Sequence, residues 1–318
     1  MTHLLGIDIG GTNLRAAVAD SDGTVVGRAE RSTPAGSDAI TEATLGLVDR
    51  ACADARVDAS DTVAAGIGSM GPIDRAAGTL VDPPNAQGID EPVRLVEPLR
   101  DRLGTDAVEL HNDATCGAIA ERAAGMAENL VYLTLSTGIG AGAVVDGDVL
   151  VGAGGNAAEI GHVTVDPRGR LTCGCGGDGH WEAYCGGKNV PRYAAHLRRE
   201  SGDGIETDLP ADASAFTAKA VFDRAGDDDD LADLVVERIG RWNAIGVAAA
   251  VQAFAPTRIV LGGAVALENP DAILDPIREG IPRRVSIDPP EIGLTDLGAD
   301  AVLQGAVMIA RRRADRAE

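Results

Sequence analysis

The chain has 318 residues, which favours two domains with one core each, because single hydrophobic cores stop growing at roughly 250–300 residues. Apolar residues make up 45% of the chain and aromatic residues only 3%, so the cores must be built from Ala, Val, Leu and Ile. The formal net charge is −21. Aromatic stacking platforms and basic grooves are both scarce, which argues against nucleic-acid binding.

The acidic residues are spread along the chain, and among the 28 basic residues only Lys188 and Lys219 are lysines. Such a surface repels itself in dilute buffer and is screened in strong salt, since the Debye length falls from about 10 Å at 0.1 M to about 3 Å at 1 M. The composition therefore predicts a halophilic protein, adapted to a salt-rich cytoplasm. An ordinary acidic enzyme is the alternative.

The predicted location is cytoplasmic, without membrane contact. No run of about 18 apolar residues is present, and the first strand-like run begins at Leu4 without a basic leader. Five cysteines, two of them in Cys173-x-Cys175, favour metal binding or inert thiols over disulfides in a compartment that keeps thiols reduced.

Strand and helix patterns alternate along the chain, which predicts an α/β fold. Strands are predicted at residues 4–8, 14–19, 24–27, 62–68, 107–110, 130–135, 143–145 and 258–261, and helices at 39–55, 93–103, 114–124, 231–254 and 299–313. A strand-turn-strand unit at residues 4–19 recurs at 130–145. This repeat predicts two duplicated α/β domains whose first turns face one another across a cleft.

The two glycine-rich turns are candidate phosphate-binding segments. In the first, at residues 8–13, adjacent glycines let backbone N–H groups approach a polyphosphate, and Asp8 can hold the accompanying metal ion. A plain hairpin is the alternative. The second turn, at residues 136–142, mirrors the first and would hold the other side of the phosphates.

Asp113 is the candidate catalytic base. It follows a predicted strand and precedes a predicted helix, in the run His111-Asn112-Asp113. Phosphoryl transfer requires positioning, charge neutralisation and a carboxylate that accepts the hydroxyl proton. The alternative role for Asp113 is that of an ordinary helix N-cap.

A metal site is predicted between residues 159 and 187. Two thiolates and two imidazoles, from His162, Cys173, Cys175 and His180, make a tetrahedral zinc set. Cys185 is close enough in sequence to be an alternative ligand. Four protein ligands leave no open position, so the metal would be structural.

Together these motifs resemble the ROK family (repressors, open reading frames and kinases), and the resemblance covers residues 5–310. It implies the duplicated actin-like, hexokinase-like ATPase fold with an interdomain cleft that closes over a sugar. The implied small domain spans residues 1–112 and is completed by a C-terminal helix at about 299–318. The large domain spans 113–298 and carries the zinc loop at 159–187.

The resemblance also implies roles for individual residues. The nucleotide would contact Asp8, Gly10, Gly11, Thr12 and Asn13 in the first segment, Thr137, Gly138 and Gly140 in the second, and Gly262 and Gly263 beside the adenosine. Asp113 matches the family's catalytic base. The sugar would contact Asn112, Glu159, His162 and Glu182, with Gly71, Asn85 and Arg15 as weaker members. His180 stands where the family usually has a third cysteine, although two cysteines and two histidines remain a normal zinc set. We expect loss of the metal to weaken sugar binding far more than ATP binding, because the two glycine turns lie outside the zinc loop.

The implied activity is Mg²⁺-dependent phosphorylation of the 6-hydroxyl of glucose by ATP, in a homodimer or homotetramer. Kinases for fructose, mannose or N-acetylmannosamine use nearly identical motifs, and ADP or polyphosphate is an alternative donor. A sugar-sensing repressor is the rival from another class, but only three residues precede the first predicted strand, and the net charge opposes DNA binding. An actin-like structural role has no need of the zinc and carboxylate loop.

Overall fold

The computed structural model describes residues 2–81, 83, 88–125 and 127–316. The chain divides into two compact units. The first comprises Met1–Glu128, Gly142–Ala158 and Asp300–Glu318, and the second comprises Asn129–Ala141 and Glu159–Ala299. The domain boundaries expected from the family resemblance, at residues 112 and 298, stay a prediction.

The elements follow one another in the alternating order that the sequence predicts. Up to residue 123 they are β1 (His3–Ile9), β2 (Asn13–Ala19), β3 (Val25–Ser32), α1 (Ser37–Ala55), β4 (Thr62–Ser69), β5 (Ile73–Asp74), β6 (Thr79–Leu80), β7 (Val93–Arg94), α2 (Val96–Leu103), β8 (Val108–Asn112) and α3 (Asp113–Ala123). They continue with β9 (Leu130–Leu135), β10 (Ile139–Val145), β11 (Asp148–Val149), α4 (Glu182–Cys185), α5 (Val190–Ser201), α6 (Ala218–Phe222), α7 (Asp230–Phe254), β12 (Arg258–Gly262), α8 (Ala264–Glu268), α9 (Pro270–Gly280), β13 (Glu291–Leu294) and α10 (Ala301–Asp315).

The first sheet has the strand order β3-β2-β1-β4-β8. The outer hairpins β1-β2 and β2-β3 are antiparallel, whereas β4 runs parallel to both β1 and β8. Aliphatic side chains cover one face together with helices α1 and α2, and α10 packs on the other face, where Leu4, Ala64 and Val307 are buried together. A core of small aliphatic residues thus forms without aromatic side chains, as the composition requires.

The second sheet repeats this arrangement, with the order β11-β10-β9-β12-β13. Strand β12 runs parallel to both β9 and β13, as β4 does to β1 and β8. The two sheets therefore share one topology, which confirms the duplicated α/β fold predicted from the recurring strand-turn-strand unit. The division between the units falls within β10, between Ala141 and Gly142.

The glycine turn predicted at residues 136–142 is too long. The turn is short and β10 already begins at Ile139, so Gly140 and Gly142 lie in a strand. A Cβ atom at Gly142 would overlap the carbonyl group of Ala114 in α3, which explains the glycine as a point of close approach rather than a turn.

Helices α5 and α9 and strand β13 were also not predicted. In the part of the chain that the structure describes, no helix combines the length and apolar character needed to span a bilayer.

Candidate active site and metal centre

The first glycine turn is a tight hairpin between β1 and β2. The Gly10 N–H donates to the Asn13 carbonyl at 3.0 Å, and the Thr33 hydroxyl donates to the Gly10 carbonyl at 2.7 Å. Thr12 lies exposed at the tip. The turn is therefore held from outside by Thr33, a contact distant in sequence that the motif did not reveal.

Asp8 stands one residue before the end of β1, and its side chain is only 13% exposed. Its pKa is raised to about 7, chiefly by burial and secondly by the neighbouring Asp113 carboxylate, against a lowering by Arg15. Arg15 pairs with Asp8 across the β1-β2 register and lies 3.9 Å from its carboxylate. A bound cation would stabilise the negative charge around Asp8, because a nearby positive charge favours the ionised form of a carboxylate.

Asn112 and Asp113 lie at the junction of β8 and α3. Asn112 is the N-cap of α3, because its Oδ1 accepts from the Ala114 N–H at 3.0 Å, and Asp113 is the first residue inside the helix. Asp113 Oδ1 also accepts from the Ala114 N–H, at 2.7 Å. The capping role considered for Asp113 thus belongs to Asn112.

The parallel register brings the two acidic positions to the same edge of the first sheet. Asp8 pairs with Gly68 of β4, and Gly68 pairs with His111 of β8. Neighbouring strands are about 4.8 Å apart, so the two ends stand about 10 Å apart with one strand between them. Asp8 and Asp113 therefore both lie at the carboxyl ends of parallel strands, where α/β sheets carry their ligand sites.

A polar network that the sequence did not predict involves His111, the residue before Asn112 in β8. Nε2 of His111 is 2.9 Å from Glu109, and Arg75 contacts both the Glu109 carboxylate and, at 3.3 Å, the His111 ring. The hydrogen bond from His111 lowers the pKa of Glu109 to about 2, with Arg75 and Arg313 adding to the effect. Glu109 and His111 alternate along β8, but the partner Arg75 comes from a distant loop.

Two of the weaker sugar candidates can be placed. Gly71 follows β4, partly exposed, and Arg15 lies in β2 beside Asp8 and Glu30. Asn85 lies outside the described residues. Gly71 thus lies at the same edge of the first sheet as Asn112. Arg15 forms its ion pairs with the carboxylates of Asp8 and Glu30.

The second glycine turn closes between β9 and β10, where the Ser136 N–H donates to the Gly138 carbonyl at 3.0 Å. Thr137 and Gly138 are partly exposed there. Gly262 ends β12, which runs next to β9, and Gly263 is the N-cap of α8. Thr137, Gly138, Gly262 and Gly263 therefore follow adjacent parallel strands.

The predicted metal ligands form one cluster. The donor atoms of His162, Cys173, Cys175 and His180 all lie within 4.8 Å of one another. Cys173 Sγ is 3.7 Å from His162 Nδ1, and Cys175 Sγ is 3.2 Å from His180 Nδ1. Zinc bonds of about 2.0–2.3 Å place the corners of a tetrahedron about 3.6 Å apart, so the arrangement fits a zinc ion.

The pKa shifts differ between the two kinds of ligand. Burial raises the pKa of the Cys173 thiol to about 12, so a bound cation would have to stabilise the thiolate that zinc requires. Burial, together with His162, lowers the pKa of His180, which favours the neutral imidazole that a metal ligand must be. Cys185, the alternative ligand, is buried elsewhere, and its thiol points to the Ile239 carbonyl at 3.7 Å. The geometry therefore favours His180 over Cys185.

The predicted sugar carboxylates flank this cluster. Nε2 of His162 is 3.6 Å from Glu159, while its Nδ1 faces Cys173. The two ring nitrogens thus serve different partners, the arrangement expected of a ligating histidine. Burial raises the pKa of Glu159, with a smaller rise from Glu182. Glu182 is buried, and one of its oxygens accepts from the Ile139 N–H at 2.8 Å.

A second polar group, also not predicted, holds the metal loop without using the metal ligands. Asp166 is almost fully buried and accepts hydrogen bonds from Tyr184 at 2.7 Å and from Arg170 at 2.9 Å. These donors lower the pKa of Asp166 to about 2 although burial alone would raise it. The loop therefore has an internal anchor of its own.

Comparison with known proteins identifies the class to which this fold and site correspond. The ROK family profile matches residues 4–313, so the chain belongs to the ROK family. A glucokinase of Pyrobaculum calidifontis is 33% identical over 98% of this chain and 95% of its own length.

Solved structures that resemble the fold include two ROK kinases. The ROK hexokinase of Thermus thermophilus superposes with a TM-score of 0.81 at 32% identity and covers 99% of both chains. A ROK family glucokinase from Streptomyces griseus, solved with glucose and AMPPNP, gives a TM-score of 0.78 at 30% identity, over 98% of this chain and 99% of its own. The two solved structures compared in fold are thus a hexokinase and a glucokinase.

Proposed function

We propose that this protein is an ATP-dependent glucokinase that transfers the γ-phosphoryl group to the 6-hydroxyl of glucose. The observation that carries the proposal is the pair Asp8 and Asp113 at the carboxyl ends of two parallel strands, in a chain related along nearly its whole length to a glucokinase. Phosphoryl transfer needs one carboxylate near the metal and phosphates and one near the acceptor hydroxyl.

In this mechanism Asp113 accepts the hydroxyl proton as the bond to phosphorus forms. Asp113 is the first residue of α3, directly after β8, which puts its carboxylate at the carboxyl end of a parallel strand. Asp8 would face the Mg²⁺ that accompanies ATP, whose charge would offset the burial and the repulsion from Asp113 that raise the pKa of Asp8. The two glycine turns would hold the phosphates, and Gly262 and Gly263 the adenosine.

Glucose would be held by Asn112, Glu159, His162 and Glu182. Carboxylates accept hydrogen bonds from sugar hydroxyls, and the amide of Asn112 can both donate and accept. Zinc, held by His162, Cys173, Cys175 and His180, would act structurally, because four protein ligands leave it no open position. We further propose closure of two domains over the sugar, a homodimer or homotetramer, and operation in a salt-rich cytoplasm.

The test is a coupled assay of purified protein with Mg²⁺ and a panel of glucose, fructose, mannose and N-acetylmannosamine, with ATP, ADP or polyphosphate as donor. We expect the highest kcat/KM for glucose with ATP, and glucose 6-phosphate as the product by ³¹P NMR. The matched control is Asp113→Asn, which preserves shape. A higher kcat/KM for another hexose would reassign the substrate, and no turnover of any hexose would refute the kinase proposal.

A further inference from the structure

Glu182 connects the metal cluster to the second glycine turn. One oxygen of its carboxylate accepts from the Ile139 N–H at 2.8 Å, and the other lies 3.8 Å from Sγ of Cys173. The residue is 5% exposed, so these contacts are shielded from water. A single side chain thus contacts both a metal ligand and the backbone that follows Gly138.

The opposite flank of the metal loop contacts the same peptide. Gly161, which precedes the metal ligand His162, lies so close to Ile139 that a Cβ atom on it would overlap the Ile139 carbonyl oxygen. The N–H of Ile139 faces Glu182 while its carbonyl faces Gly161. The start of β10 is therefore enclosed between the two flanks of the loop.

The backbone that follows Glu182 adds two more contacts. The Gly187 N–H donates to the Ser136 carbonyl at 2.8 Å, and the Lys188 N–H donates to the Thr137 carbonyl at 3.0 Å. The side-chain amide of Asn189 in turn donates to the Glu182 carbonyl at 3.0 Å, which fixes this segment to α4. Residues 136, 137 and 139 of the turn are therefore all bonded to the segment after the metal ligands.

We propose that the metal loop sets the geometry of the second glycine turn, with Glu182 as the positioning residue, so that metal binding controls affinity for the nucleotide as well as for the sugar. The inference rests on the proposed function, since it takes residues 136–140 as a phosphate segment. It argues against the sequence-based expectation that metal loss leaves ATP binding largely intact, because the turn lies outside the loop in sequence but in contact with it in space.

The experiment measures MgADP affinity by calorimetry without any sugar, for zinc-loaded protein, chelated protein and protein reloaded with zinc. We expect chelation to weaken MgADP binding about fivefold or more, the effect of losing one buried hydrogen bond, and reloading to restore it. Equal affinity before and after chelation would overturn the inference but leave the kinase proposal intact. Zinc-loaded protein that binds no MgADP would overturn both.

Two pairs of variants separate positioning from general loss of structure. Cys173→Ser should reproduce the chelation effect, whereas Cys185→Ser, a matched change at a buried thiol outside the metal set, should not. With zinc bound, Glu182→Gln should keep MgADP affinity, because the amide oxygen still accepts from Ile139, and Glu182→Ala should lose it. If Glu182→Ala binds MgADP as tightly as the parent protein, the positioning role is refuted even where chelated protein unfolds.

Discussion

Replacement of Asp8 by Asn should stabilise the folded protein at pH 8 far more than at pH 5. The pKa of Asp8 rises from 3.8 to about 7 on folding, chiefly through burial and secondly through Asp113. A carboxyl whose pKa is raised in the folded state favours folding fully only below its unfolded pKa, and this contribution is lost as pH rises toward 7. Asn is neutral at both pH values and nearly isosteric, so the variant escapes that loss.

The magnitude follows from the two pKa values. As the pH rises from 5 to 8, the free energy of unfolding falls, because Asp8 ionises more easily in the unfolded chain than in the folded protein. The loss is equivalent to about two pKa units, or about 2–3 kcal/mol. The side chain is 13% exposed, so little of this is removed by direct solvent screening. The stability advantage of Asp8→Asn over the parent should therefore grow by about 2–3 kcal/mol from pH 5 to pH 8.

Urea unfolding followed by circular dichroism at the two pH values, in one KCl concentration and without added Mg²⁺ or nucleotide, measures this difference. Asp22→Asn, an exposed change on the β2-β3 turn, is the control and should show no such growth. If the free energy of unfolding of Asp8→Asn exceeds that of the parent by the same amount at pH 5 and pH 8, the raised pKa of Asp8 is refuted. Turnover with MgATP should nevertheless fall, since the variant has no carboxylate for the metal.

Three further predictions concern other parts of the molecule. Asp113→Asn should lower kcat by about 10²-fold or more with little change in glucose affinity by calorimetry, and near-normal turnover would move the base elsewhere. The melting temperature should rise as KCl increases from about 0.1 M toward 1 M, because salt screens the net charge of −21; a flat or falling trend would remove the high-salt hypothesis. Asp166→Asn should lower the free energy of unfolding at pH 7 by about 3 kcal/mol, because Arg170 and Tyr184 lose a buried anionic partner, and an unchanged urea midpoint would contradict this.

The sequence was sufficient for features that depend on local pattern. The repeated strand-turn-strand units predicted the duplicated sheets because alternation and glycine punctuation act over a few residues. The four metal donors could be chosen because Cys-x-Cys and two nearby histidines lie within one short segment, and the structure brings the same four atoms together. Strand β9 was placed at residues 130–135, its observed bounds.

Local pattern failed where a residue's role depends on a neighbour far along the chain. Glycines 140 and 142 suggest a turn, yet they lie in β10, and at Gly142 the reason is the close approach of α3. Both Asn112 and Asp113 suit an N-cap, and only the backbone geometry showed that Asn112 caps the helix. Composition and spacing carry no information on such packing.

The tertiary structure alone decided which polar groups share an environment. Arg75 meets Glu109 from 34 residues away, and Glu182 meets Ile139 from 43 residues away. The raised pKa of Asp8 likewise depends on burial and on Asp113, which begins the helix that follows another strand of the same sheet. A sequence motif names the chemical groups, but desolvation and electrostatic coupling depend on distance in space, which exists only after the chain has folded.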